Sequence, residues 1–96
     1  SSLTINQAMT LGKPDLKGAV INTIQLDSPA SKSRLLLNDI VTEVNGHQVT
    51  TREDLDNEIG KKGLKKLNMT VIRKTDFNNS TNAYNCEEIQ LTIELK

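Results

Sequence analysis

From Leu3 to Leu11 the apolar side chains fall at alternate positions, Leu3, Ile5, Met9 and Leu11, and Gln7 alone interrupts them. That is the period of a strand with one buried face. Gly12-Lys13-Pro14-Asp15 reads as a turn, because Pro14 lacks a backbone donor and Gly12 tolerates positive φ. The β-branched run from Gly18 to Ile24 predicts a second strand. Ser28 suits an N-cap and Pro29 the first helical position, so a short helix is expected there, with Leu35-Leu36-Leu37 as its apolar exit. Asp39 to Val44 predicts a third strand, Asn45-Gly46 a tight turn at positive φ, and His47-Gln48-Val49 a short return strand.

Thr50-Thr51-Arg52-Glu53 has the spacing of a capping box, in which Thr50 caps and Glu53 reaches back. The helix it opens runs from about Thr51 to Ile59, sets Leu55 and Ile59 on one face, and ends at Gly60 and Gly63. Leu67 to Arg73 is a strand of period two, and Thr75 to Asn85 is polar and reads as a long exposed hairpin loop. Glu88 to Leu95 alternates cleanly as a closing strand. Together these elements predict one α+β domain spanning residues 1–96: a small, partly open antiparallel β-barrel or sandwich of five to six strands with two helices.

Composition narrows the chemistry. Lys+Arg and Asp+Glu both number 12, so the net charge is zero and a generic phosphate-binding surface is not expected. Phe77 and Tyr84 are the whole aromatic complement, too few for a platform that stacks nucleic-acid bases. One cysteine, Cys86, and one histidine, His47, exclude an internal disulfide, a cysteine-cluster zinc site and two-histidine metal motifs. No apolar run approaches the roughly 18–20 residues of a membrane span, and a chain opening on Ser1-Ser2 says nothing of its compartment. No metal or other cofactor is expected.

The order of marks from Lys17 to Gly46 is specific: Gly18 leads a strand, Ser28-Pro29-Ala30 opens a short helix, Leu37-Asn38-Asp39 precedes a strand, and Asn45-Gly46 closes it. With the helix that follows, this block resembles a PDZ domain. The order of strands is similar to the circularly permuted bacterial form of HtrA/Deg-type serine proteases, their second PDZ domain above all; Ile89 to Leu95 fits its closing strand. Two positions depart from the family pattern. Arg34 stands where a Gly is usual, and Asn38 replaces the Gly of Gly-Asp, a change that suits asparagine's access to the left-handed region.

The resemblance implies a module that takes the end of another chain as an added strand beside its second helix, with the terminal carboxylate held by backbone N–H groups of a small loop. Ala8-Met9-Thr10-Leu11 resembles the Gly-Leu-Thr-Leu variant of that loop, with Ala8 in place of Gly. Ser2-Leu3-Thr4-Ile5 has the same apolar spacing; the later segment is preferred because the residues before it then supply a normal lead-in. Arg52, Leu55, Asp56 and Ile59 share the helix face that would line the groove. Arg52 holds the helix-start position that reads the ligand in eukaryotic relatives, yet it stands four residues from Asp56 and can pair with it instead. Leu55 and Ile59 also suit plain core. A pocket of Met9, Leu11 and Ile59 would favour an apolar last residue in the ligand.

No nucleophile–base pattern is visible. His47 reads as a solvated turn residue, Cys86 as a half-buried hairpin residue, and Lys61, Lys62, Lys65 and Lys66 as a cluster suited to a helix end and a strand edge. Asn68-Met69-Thr70, Asn78-Asn79-Ser80 and Asn79-Ser80-Thr81 have glycosylation spacing, which has meaning only in a eukaryotic secretory protein. The expectation is a non-catalytic peptide-binding module of a larger, extracytoplasmic serine endopeptidase concerned with protein quality control. Its partners would be C-terminal or extended segments of unfolded proteins and the protease or neighbouring PDZ domain of its own parent, with no nucleic acid and no membrane insertion. The alternatives are a docking module whose groove is filled by its own chain, or another parent: an intramembrane metalloprotease, a C-terminal-processing protease, an aspartic protease or a secretion component.

Overall fold

Ile40 and Val41 are neighbours in sequence and both are buried, so the strand that carries them needs cover on both faces. The computed structural model describes residues 1–22, 35–60, 63 and 65–94. In it β1 (Ala19–Val20), β2 (Ile40–Val44), β4 (Lys66–Asn78) and β5 (Ala83–Glu94) form one antiparallel sheet in the order β1-β2-β4-β5, and β3 (His47–Gln48) pairs with β2. The register lines up Ala19, Val41, Val71 and Ile89 across one face and Val20, Ile40, Ile72 and Glu88 across the other. The larger core builds on the first row, with Val44, Val49, Leu55, Leu67, Met69, Leu91 and Ile93. A smaller cluster builds on the second, where Leu11, Val20 and Ile40 pack with Leu3, Leu16, Ile72 and Tyr84. This is the expected α+β class, an open antiparallel sheet with, among the described residues, the helices α1 (Ile5–Thr10) and α2 (Arg52–Ile59).

The first helix is a correction. The strand expected over Leu3 to Leu11 is instead α1, because Thr4 and Gln7 form a capping box: Thr4 Oγ1 accepts from the Gln7 N–H and Gln7 Oε1 from the Thr4 N–H. Gln7, the residue that breaks the alternation, is the one that closes the box. A helical period then buries Ala8 and Leu11, three apart, and leaves Ile5 and Met9 exposed. The helix expected at Ser28-Pro29, the far end of the second strand and the departure at Arg34 lie outside the described residues.

The polar stretch from Thr75 to Asn85 is a second correction. It is not a long loop; β4 and β5 continue through it with a register shift between Lys74 and Phe77, and turn only between Asn78 and Ala83. Asn78 Oδ1 accepts from the Ser80 N–H, Asn82 adopts φ +55°, and Phe77 meets Tyr84 edge-to-face with ring centroids 5.0 Å apart. Lys74 Nζ lies 4.6 Å from the Tyr84 centroid. These cross-strand contacts supply what the polar composition hides. The tight turn at Asn45-Gly46 forms as its residues require, at φ +51° and +83°.

Gly18 is where the chain enters β1, and there the sheet leaves no room. A Cβ on it would stand 2.6 Å from Val41 O and 2.8 Å from Ile40 Cγ2. Gly18→Ala is therefore expected to destabilise the fold by about 1–3 kcal/mol, measured as a lower denaturant midpoint at unchanged slope; an unchanged midpoint would mean the approach is not this close.

Candidate functional site

Ser1 to Leu3 lies antiparallel along β1. The Val20 N–H donates to Ser1 O (2.6 Å), the Leu3 N–H to Gly18 O (2.8 Å), and Ser2 stands opposite Ala19. In such a ladder the intervening residue turns its own peptide groups the other way, so the Ser2 N–H and C=O point to the outer edge. The segment beyond β1 is held as well: the Ile21 N–H donates to Asp39 O (2.9 Å) and Ile21 O accepts from the Asn38 N–H (2.7 Å).

Helix α2 packs against the same end of the sheet. Its cap is one residue later than the sequence suggests. Thr51, extended at φ −138°, is the N-cap and accepts from the Asp54 N–H, and the Asp54 carboxylate reaches back to the Thr50 N–H and hydroxyl (3.0 and 2.7 Å). Glu53 therefore does not close the box. Leu55 anchors the helix in the larger core. The Arg52 N–H donates to Ser2 Oγ (2.9 Å), joining the helix start to the edge segment.

Between strand and helix lies a cleft of about 180 Å³, below the roughly 300–1,000 Å³ usual for drug-sized ligands. Ala19, Val20, Ile21 and Leu55 are its apolar lining; Ser1 and Asn22 from the strand side and Arg52 and Asp56 from the helix side are its polar lining. Arg52 Nε is 3.6 Å from Asp56 Oδ2 and both side chains are more than three-fifths exposed, so their attraction is worth at most about 1 kcal/mol and yields readily to a competitor.

Of the residues singled out from the sequence, Arg52, Leu55 and Asp56 meet at this cleft, and Ile59, 44 % exposed at the end of α2, is not among its lining residues. Ala8, Met9 and Thr10 form the last part of α1 and Leu11 its C-cap, rather than a loop at a sheet edge. The Ala8 N–H donates to Thr4 O and the Leu11 N–H to Ala8 O, so these donors serve the helix. Leu11 packs in the smaller cluster and α2 in the larger, so the pocket expected from Met9, Leu11 and Ile59 does not form. Strand period does not mark Ser1, Ala19, Val20, Ile21 and Asn22 as lining, nor Ser2 as the edge residue beside it; the spacing of Ser2-Leu3-Thr4-Ile5 is the available signal. His47 Nδ1 is 3.1 Å from Glu58 Oε2, with the ring exposed. Among the described residues no group of three His, Cys, Asp or Glu comes together to hold a metal ion, and no helix is long and apolar enough to cross a membrane.

The family model described as PDZ domain matches residues 4–83. The chain is also similar to proteins named probable periplasmic serine endoprotease DegP-like from Brucella suis, Brucella abortus and Brucella melitensis, at 33 % identity over 92 residues in each case. The match takes in 95 % of this chain and 16 % of each relative, so the chain spans about a sixth of their length.

The α2 cap carries a pH signature. Hydrogen bonds from the Thr50 hydroxyl and N–H hold the Asp54 carboxyl below its ordinary value. A depressed carboxyl stabilises the fold fully above its unfolded pKa of about 3.9, and the contribution fades as pH falls toward the folded value. The stability difference between the wild type and Asp54→Ala should thus be constant from about pH 7 to pH 5 and shrink below about pH 4. A difference that holds constant down to pH 2 would contradict this role.

Proposed function

The chain belongs to the PDZ domain family, and on that basis we propose that it captures the extended end of another polypeptide as an added strand in the cleft between α2 and the strand side formed by Ser1 and Ala19 to Asn22. The observation that carries this reading is the outward turn of the Ser2 peptide groups at an exposed residue beside the start of α2. An added strand takes its main-chain hydrogen bonds from such an edge and its selectivity from alternate side chains. Ala19, Ile21 and Leu55 favour an apolar residue on the inward side of the ligand. The Ser2-Leu3-Thr4-Ile5 segment, rather than Ala8-Met9-Thr10-Leu11, is then the one that adjoins a terminal carboxylate. Micromolar binding, roughly −8 kcal/mol, is the scale for so short an added strand.

The parent is read as a periplasmic serine endoprotease, after the relatives' names, with this domain tethering substrate or relaying its capture to the protease domain and the catalytic residues outside these positions. The rival reading, a docking module with a filled groove, draws on one contact, the Arg52 N–H to Ser2 Oγ hydrogen bond that ties the edge segment to the start of α2 beside the cleft. In the peptide-binding reading this bond opens as the ligand enters, at a cost of about 0.5–1.5 kcal/mol.

A C-terminal peptide library, run beside the same peptides amidated, separates the two. Enrichment of apolar C-termini that disappears on amidation is expected; no enrichment, or indifference to amidation, favours docking. Ser2→Ala removes only the bond to the Arg52 N–H and should tighten binding about two- to tenfold. Ser2→Pro also removes the outward N–H, at an edge position that tolerates proline, and should bind at least about tenfold more weakly than Ser2→Ala. Equal affinities for the two variants would rule out strand addition at Ser2.

A further inference from the structure

The strand-side wall of the cleft continues past β1 at Ile21, and both backbone groups of Ile21 are bonded to Asn38–Asp39. Asp39 is itself fixed from elsewhere. Its Oδ1 accepts from Arg73 Nε (2.8 Å) and its Oδ2 from Arg73 Nη2 (2.7 Å), the two-point geometry that a guanidinium makes and an ammonium cannot. Asp39 Oδ2 also accepts from the Leu36 N–H (2.9 Å), so the carboxylate closes a turn in which Asn38 takes φ +71°. Val20 pairs with Ile40 in the last rung of the β1–β2 ladder. Beyond it, the bonds to Asn38–Asp39 are what hold Ile21 in line.

We propose that Arg73, on β4 and outside the cleft, is a positioning residue for peptide binding: by clamping Asp39 at two points it fixes the Asn38–Asp39 backbone that holds Ile21 as the cleft wall. The part concerning affinity rests on the peptide-binding reading above; the part concerning Ile21 does not. Arg73→Lys keeps a cation beside Asp39 and gives up the fork. The turn then loses its rigid support while the charge stays neutralised, and the Ile21 and Asn38 amides open more often than their neighbours.

Amide hydrogen exchange on the free 96-residue chain reads this without a ligand. In Arg73→Lys the Ile21 and Asn38 amides should exchange about tenfold faster relative to the Val71 amide in β4, which serves as the internal reference. Ile93→Val, which thins the larger core on β5 at a residue that does not line the cleft, should lower stability without changing that ratio. Peptides enriched from the library should bind Arg73→Lys about tenfold more weakly and Ile93→Val with unchanged affinity. An unchanged Ile21-to-Val71 ratio in Arg73→Lys, or the same change in Ile93→Val, would overturn the positioning role. Failure of the wild type to bind any peptide, with the exchange ratio altered as stated, would overturn the peptide-binding reading and leave the clamp on Ile21 standing.

Discussion

Asp39 is 1 % exposed, and a carboxylate so placed is tolerated only when it is paired and hydrogen-bonded. Arg73 meets both of its oxygens, and the carboxylate in turn holds the guanidinium above its ordinary pKa, so the arginine stays charged. Removing one partner from a buried pair typically costs about 3–5 kcal/mol. The pair matters as much for geometry as for energy. Asp39 precedes Ile40 and Arg73 follows Ile72, and Ile40 and Ile72 are register partners, so the ion pair continues the β2–β4 ladder by one more fixed contact. From that contact the turn at Asn38 and the bonds to Ile21 follow.

The rest of the architecture comes from covering a two-faced sheet with little material. β2 and β4 carry apolar residues on successive positions, so one face takes α2 and the other takes α1. Each helix is short, and helices of this length do not persist alone in water; each exists because a residue of its own is seated in a core, Leu55 for α2 and Ala8 for α1. A helix seated through Leu55 leaves Arg52 and Asp56 toward solvent at the margin of the sheet. The cleft is the gap between that margin and the edge segment at Ser1 to Leu3. It is a consequence of partial cover, and it presents what an added strand needs: an edge with outward peptide groups and a weakly held polar pair that can change partners.

Features encoded by contiguous residues were legible in the sequence. Asn45-Gly46 could hardly be other than a positive-φ turn, Leu55 had to face inward, and the order of Gly18, Asn38-Asp39 and Asn45-Gly46 pointed to the family that the comparison then matched. The alternation from Leu3 to Leu11 misleads because the helix buries Ala8 and Leu11 and leaves Ile5 and Met9, two members of the alternating set, in solvent; the discriminating sign is Thr4 with Gln7, a capping box in place of a missing apolar residue. The α2 cap slipped by one because Thr50 and Thr51 offer equivalent hydroxyls and Glu53 and Asp54 equivalent carboxylates; which pair engages depends on where the preceding strand delivers the chain. Polar composition hid the β4–β5 extension, whose support is cross-strand: Phe77 against Tyr84 and Lys74 over the same ring. The cleft was half legible. Its helix side has a sequence period, whereas its strand side is set by pairing between residues some twenty positions apart.

The central claim is the location of the binding edge, and an isotope-edited NMR titration tests it most directly. Amide shifts of the free chain would be followed as a peptide with an apolar, unblocked C-terminus is added. The account predicts that the largest changes fall on Ser2, Ile21, Asn22 and the α2 residues Arg52 to Asp56, with Ala8 to Leu11 nearly still. Changes centred on Met9 to Leu11 would contradict it, because the binding edge would then lie on the opposite face of the sheet.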